Sequence, residues 1–216
     1  MTTRIGVLAS GGGSNLQALL DHMAALGDAA AGAVVLVISD RSSAGALERA
    51  RAAGIDARHI GKDAPANALA AALVEHRIDL VVLAGYLRLV PADVTRAYRG
   101  RIVNIHPALL PAFGGPGMYG AHVHRAVLAH GCTVSGPTVH FVDEVYDRGA
   151  IIAQHPVPVR RDDTPESLAA RVLTAEHQLY PAVIAALCAG TVTLDAEGRT
   201  QGWPDPSPSA SYSLHS

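Results

Sequence analysis

The sequence predicts an α/β protein, a Rossmann-like and mostly parallel twisted sheet with helices on both faces, ending in a late antiparallel strand pair. Three observations carry that prediction. Short apolar runs alternate with helix-period segments from Arg4 to Ile105. Two of the runs, Ala33–Ser39 (AVVLVIS) and Asp79–Ala84 (DLVVLA), are almost continuously apolar, as strands covered on both faces are. A glycine run, SGGGSN, sits between the first strand and the first helix, where such folds bend closely around a ligand.

The first strand spans Arg4–Ala9, and the helix after the glycine run spans Asn15–Leu26, with apolar residues at Leu16, Leu19, Leu20 and Met23. Ala33–Ser39 is the second strand. A short helix over Ala44–Ala53 stops at Gly54. Ile55–Ile60 is a weaker strand, Pro65–His76 a helix, Asp79–Ala84 a strand, Pro91–Tyr98 a helix and Arg101–Ile105 a fifth strand. The rhythm then changes. Pro107–Gly120 holds three prolines and four glycines and reads as a long loop. Ala121–Ala129 is helical. Thr133–Val142 and Ala150–Val159 are strands that can pair antiparallel across DEVYDRG. A long helix covers Thr164–Leu187, with Thr164 as N-cap, Pro165 at the first helical position and a kink expected at Pro181. Residues 1–203 are expected to form one domain, and the proline- and serine-rich stretch 204–216 a mobile tail.

Composition narrows the function. Of 216 residues, 49% are hydrophobic and 17% charged, and the formal net charge is -2, so no global field draws the chain to nucleic acid or to an anionic membrane. An anionic substrate must then be held by a local device. The two cysteines, Cys132 and Cys188, make neither a disulfide framework nor a zinc site and suit a reduced compartment. With no signal-peptide pattern at MTTRIGVLAS and no apolar run of about 20 residues, the expectation is a soluble, cytoplasmic protein without a membrane partner.

Three segments carry chemistry. In Ser10–Asn15 the glycines allow close approach of backbone to ligand, and the helix start offers free N–H groups to an anion. The Gly-Lys-Ser/Thr ending of a Walker loop is missing, and the third glycine of a dinucleotide fingerprint falls on Leu16, so one phosphate fits better than two. Asn104-Ile105-His106-Pro107 ends a strand. Alternation puts the amide and the imidazole on one face, and the proline turns the chain away at once. In DEVYDRG, one of Asp143, Glu144 and Asp147 can reach His106 and raise its pKa; the residues alone do not say which. His122, His124 and His130 lack partners at metal spacing, and no metal is expected.

RIGVLASGGGSN, LVVLAGYLRLV, RIVNIHPALLPAF, TVHFVDEVYDRGAIIAQ and AEHQLYP occur in this order. Together they resemble the phosphoribosylglycinamide formyltransferases over about residues 4 to 190. The resemblance implies the formyltransferase fold, 10-formyltetrahydrofolate as cosubstrate without a metal, and glycinamide ribonucleotide as acceptor in de novo purine synthesis. It implies that Asn104, His106 and Asp147 are catalytic, with Asp147 holding His106 charged. Gly13, Ser14 and Asn15 would hold the phosphoribosyl part, Gly85 would lie beside the amine, and Glu176 would meet the ribose. Leu87, Arg88, Leu89 and Val90 would line the folate pocket together with Asn104.

The chain departs from the family's pattern at three places. It has Asp147-Arg148-Gly149 where Asp-Gly-Gly or Asp-Thr-Gly is common. It lacks the folate-contacting arginine near the third helix, where it reads KDAPANALAAAL with Lys62. Its GGPGMYG loop is longer. The alternatives are a sugar-amine formyltransferase, a formyl-folate hydrolase or a non-catalytic nucleotide-binding module. A tRNA-formylating enzyme is not expected, because the end of the chain, WPDPSPSASYSLHS, shows no basic module. A monomer or a homodimer is expected.

Overall fold

A computed structural model describes residues 2–203. The tail expected to be mobile lies outside these residues. The first half alternates as the sequence predicts: β1 (Thr3–Leu8), α1 (Ser14–Leu26), a 3-10 turn (Gly27–Ala29), β2 (Gly32–Ser39), α2 (Gly45–Ala52), β3 (Asp56–His59), α3 (Ala68–Glu75), β4 (Leu80–Leu83), α4 (Ala92–Ala97) and β5 (Ile102–His106). The second half holds α5 (Ala121–Ala129), β6 (Val134–Ser135), β7 (Thr138–Phe141), β8 (Ile151–Gln154), β9 (Val157–Pro158), α6 (Pro165–Cys188), β10 (Thr193–Leu194) and β11 (Thr200–Gln201).

Seven strands form one sheet in the order β3-β2-β1-β4-β5-β7-β8. The first five are parallel; β7 and β8 join antiparallel at one edge. The chain builds outward from β1 through β2 to β3, then returns to lay β4 and β5 on the other side of β1. The order therefore reverses between β1 and β4, and the crevice above their carboxyl ends is where open sheets of this kind bind ligands. Both faces are packed, because successive strand residues point to opposite sides. Val7 and Val82 meet Leu16 and Leu19 of α1 and Tyr180 and Ile184 of α6. Leu8 and Leu83 meet Leu69 and Leu73 of α3 and Val94 of α4.

α6 anchors the strand ends that carry the site. Thr164 accepts from the Ser167 N–H, and the Ser167 hydroxyl accepts from the Thr164 N–H, a capping box with Pro165 next in line. The helix continues through Pro181 for 24 residues. Just before Pro181, the buried Tyr180 hydroxyl donates toward two carbonyls, Leu83 O at 2.9 Å and Val103 O at 3.1 Å. It thereby fastens α6 to β4 and β5.

The structure revises three expectations. α3 begins at Ala68 rather than Pro65, because a tight turn closed by Ala68 N–H on Pro65 O precedes it. The late strand pair is antiparallel, but each strand is cut in two. Gly136-Pro137 separates β6 from β7, and His155-Pro156 separates β8 from β9, so β7 pairs with β8 while β6 pairs with β9. The crossing is so close that a Cβ on Gly136 would stand 1.9 Å from His155 O, and neither proline can donate to a continuing ladder. The β10–β11 hairpin had no clear signal in the sequence. Among the described residues no helix is long and apolar enough to cross a membrane.

Candidate active site

The carboxyl ends of β4 and β5 open on a cavity of about 570 Å³, within the range that holds a drug-sized ligand. Asn104 and His106 leave β5 on the same face, as alternation requires, and Pro107 then turns the chain into the long loop. Asp147 enters from the β7–β8 connection with φ of 54°, a left-handed conformation that an aspartate tolerates better than most residues. Of the three acids in DEVYDRG, Asp147 is the one that faces the histidine. Asp143 accepts from the Val145 N–H in a turn, and Glu144 pairs with Arg96 at 3.2 Å. Gly149 is sterically fixed, since a Cβ there would stand 1.9 Å from Phe141 O, whereas Arg148 is exposed.

His106 is 3% exposed. Its Nε2–H donates to the Phe113 carbonyl at 2.8 Å, and its Nδ1 stands 3.6 Å from Asp147 Oδ2, beyond hydrogen-bond reach. Both ring nitrogens thus face acceptors, which favours the imidazolium. Burial opposes it and prevails: desolvation holds the His106 pKa below its usual 6.5, although Asp147 and the Phe113 carbonyl push it up and His140 adds to the lowering. The expectation that a carboxylate would raise this pKa is therefore half right. The upward push exists, and the loss of water outweighs it. For Asp147 the balance falls the other way. Burial disfavours its charge, but the Gly115 N–H at 2.8 Å and the neighbouring His106 hold the carboxyl below its usual range. It is ionised at neutral pH.

His140 is the site residue that sequence reasoning missed. It lies directly opposite Asn104 in the β5–β7 ladder. Its Nδ1 donates to Phe141 O at 2.7 Å, which leaves Nε2 to accept from the Asn104 amide at 3.2 Å; Asp147 Oδ1 is 3.6 Å from the same nitrogen. The available signal was the cross-strand position of TVHF, which becomes readable only once the two strands are known to pair antiparallel.

The other expected residues fall in two groups. Gly85, Leu87, Arg88, Leu89 and Val90 line the cavity. Asn15 and Glu176 also line it, joined by a 2.7 Å hydrogen bond from the Asn15 amide to Glu176 Oε2. Burial pushes the Glu176 carboxyl up to about 7, against the lowering effect of Asn15. Gly13 and Ser14 stand beyond the cavity wall in the loop that starts α1, with Gly13 at φ 77° capping the helix. Among the described residues, no group of three or more His, Cys, Asp or Glu side chains is placed to hold a metal ion.

Sequence comparison gives this arrangement its class. The Formyl transferase family model matches residues 3–184, and the chain belongs to that family. Within it, the chain is 45% identical over 201 residues to the chloroplastic phosphoribosylglycinamide formyltransferase of Vigna unguiculata, covering 90% of this chain and 64% of that protein. It is 41% identical to part of the trifunctional purine biosynthetic protein adenosine-3 of Bos taurus, covering 91% of this chain and 19% of that one. The crystal structure of glycinamide ribonucleotide transformylase 1 from Symbiobacterium toebii superposes with a TM-score of 0.85 at 44% identity, covering 94% and 95% of the two chains. The chain thus spans under two thirds of the length of the curated relatives named here.

Proposed function

We propose that this protein transfers the formyl group of 10-formyltetrahydrofolate to the amine of glycinamide ribonucleotide, giving the formylated ribonucleotide in de novo purine (IMP) synthesis. The observation that carries this reading is the convergence of Asn104, His106 and Asp147 at one cavity that Asn15 and Glu176 also line. The folate supplies the formyl carbon. The apolar stretch Leu87–Val90 fits its flat ring system, with Arg88 interrupting that stretch as the polar contact.

The residues act as follows. Asn104 keeps one amide N–H on His140 and presents the other to the formyl oxygen, where negative charge develops as the amine attacks. His106 donates to the same oxygen once its Nε2–H leaves the Phe113 carbonyl, so the loop bearing Phe113 has to shift for this to happen. Asp147, ionised at neutral pH, steadies the imidazolium and limits the cost of charging a buried ring. The attacking amine loses a proton and the departing nitrogen gains one. His106 and Asp147 are the titratable pair placed to hold it between the two. Gly85, exposed at φ 73°, leaves room beside the amine, and Gly13, Ser14, Asn15 and Glu176 take the phosphoribosyl part.

We place the reaction in the cytoplasm, on the two free thiols Cys132 and Cys188, whereas the Vigna relative is named chloroplastic. The test is to mix the protein with a 10-formyl folate, with and without glycinamide ribonucleotide, and to follow formyl loss by absorbance. Consumption only with the ribonucleotide supports the proposal. Consumption without an acceptor points to a hydrolase, and none in either tube rejects the transfer to this acceptor.

A further inference from the structure

Arg49 has no part in the catalytic cluster, yet its guanidinium reaches from α2 back to the glycine loop. Its Nε donates to Gly12 O at 2.8 Å and its Nη1 to Gln17 Oε1 at 3.0 Å. One turn earlier on α2, the Ala46 N–H donates to Gly11 O at 3.1 Å. α2 also presses against the loop. A Cβ on Gly13 would stand 2.7 Å from Ala46 Cα, and one on Gly45 would stand 3.2 Å from Gly12 O. Two consecutive loop carbonyls are therefore pulled toward α2.

A trans peptide is planar, and its C=O and N–H point in opposite directions. Drawing Gly11 O and Gly12 O toward α2 turns the Gly12 and Gly13 N–H groups away from it. Among the described residues, none of the six backbone N–H groups from Gly11 to Leu16 donates a hydrogen bond within the protein. Gly11 and Gly12 are exposed. These unpartnered donors sit at the positive end of the α1 dipole and form an anion nest. The Ala46 contact is backbone to backbone and survives any substitution there other than proline. The Arg49 contact depends on the side chain, so the orientation of the Gly12–Gly13 peptide rests on Arg49.

We infer that Arg49 is a positioning residue for the phosphate of the acceptor: it holds the Gly12–Gly13 peptide with its N–H toward the anion, without touching the phosphate. The inference rests on the acceptor reading above, and its effect is specific to phosphate. Arg49→Ala is expected to raise KM for glycinamide ribonucleotide about tenfold, the size of one lost charge-assisted hydrogen bond. KM for the formyl folate and turnover of the dephosphorylated acceptor, glycinamide riboside, should stay within about twofold of the parent, which corresponds to a few tenths of a kcal/mol. The KM ratio between variant and parent should hold between about 0.05 and 0.5 M salt, because the peptide's orientation is not screened.

An equal loss with both acceptors would make Arg49 merely structural, and no loss with either would make it idle; either overturns the inference. A ratio that collapses in high salt would make Arg49 a direct charge contact and also overturn it. Should the parent protein transfer no formyl group at all, the inference is still read by titrating ribose 5-phosphate against the Gly12 and Gly13 amide resonances. Shifts in the parent that are lost in Arg49→Ala support it, and identical shifts in both proteins reject it.

Discussion

Asn15 and Glu176, 161 residues apart in sequence, are joined by a 2.7 Å hydrogen bond in the lining of the cavity. Glu176 is 8% exposed, and burial pushes its carboxyl up to about 7 from its usual 4.5. The folded protein therefore binds this proton more tightly than the unfolded chain does. The stability this lends is complete below pH 4.5 and is lost as pH rises from there through about 7. The loss should reach about 3 kcal/mol. Urea denaturation across that window should show the slope in the parent and a flatter profile in Glu176→Gln. Equal slopes in both would mean that Glu176 carries no such proton.

Asp147 works against burial to keep His106 available for protonation. Asp147→Asn keeps the shape and removes the negative charge, so the His106 pKa should fall further below 6.5, as followed by its ring resonances in a pH titration. Turnover at neutral pH should drop about a hundredfold or more, as for loss of an electrostatic contributor to an oxyanion site. Asn104→Ala and His106→Ala should lose a comparable amount with the fold intact by circular dichroism. Near-parental turnover in His106→Ala would remove this residue from the mechanism.

Much of this was legible in the chain. Apolar runs located β1, β2, β4 and β5, because strands covered on both faces need little else to declare themselves, whereas the edge strand β3, Asp-Ala-Arg-His, showed only as a weaker strand. Thr164-Pro165 marked the start of α6, where cap chemistry is local. Asn104 and His106 were paired by alternation alone. What stayed hidden was non-local. His140 gains its role only from its partner across the ladder, and the choice among three acids needed either a family resemblance or the turn that aims Asp147 inward. Gly136-Pro137 and His155-Pro156 were visible as residues, but the splitting of both strands follows from how closely the two segments cross. The net pKa of His106 was out of reach because it is set by burial, a property of the packed molecule.

His140 orients the Asn104 amide. His140→Phe keeps the bulk of a 2%-exposed ring and removes the acceptor at Nε2. Asn104 is then free to present either end of its amide to the formyl oxygen. The expected outcome is a fall in kcat of about tenfold or more, with KM for both substrates little changed, because the amide matters most where charge develops. A change in KM alone would assign His140 to binding instead.

Ser10 couples the two halves of the binding region. Its hydroxyl accepts from the Leu87 N–H at 2.9 Å, and its own N–H donates to Gly85 O at 3.0 Å, so the glycine loop and the Gly85–Val90 segment share one buried anchor. Ser10→Ala keeps the backbone link to Gly85 and leaves the Leu87 N–H without its acceptor. The segment should loosen at Leu87, which the proposed function sets against the folate, and stay in place at Gly85. KM for the formyl folate should then rise about three- to tenfold, matching the ~1 kcal/mol of one hydrogen bond, and KM for the ribonucleotide should move less. Steady-state kinetics with each substrate varied in turn separates the two. A larger effect on the ribonucleotide would show that the hydroxyl serves the glycine loop first and Leu87 only by proximity.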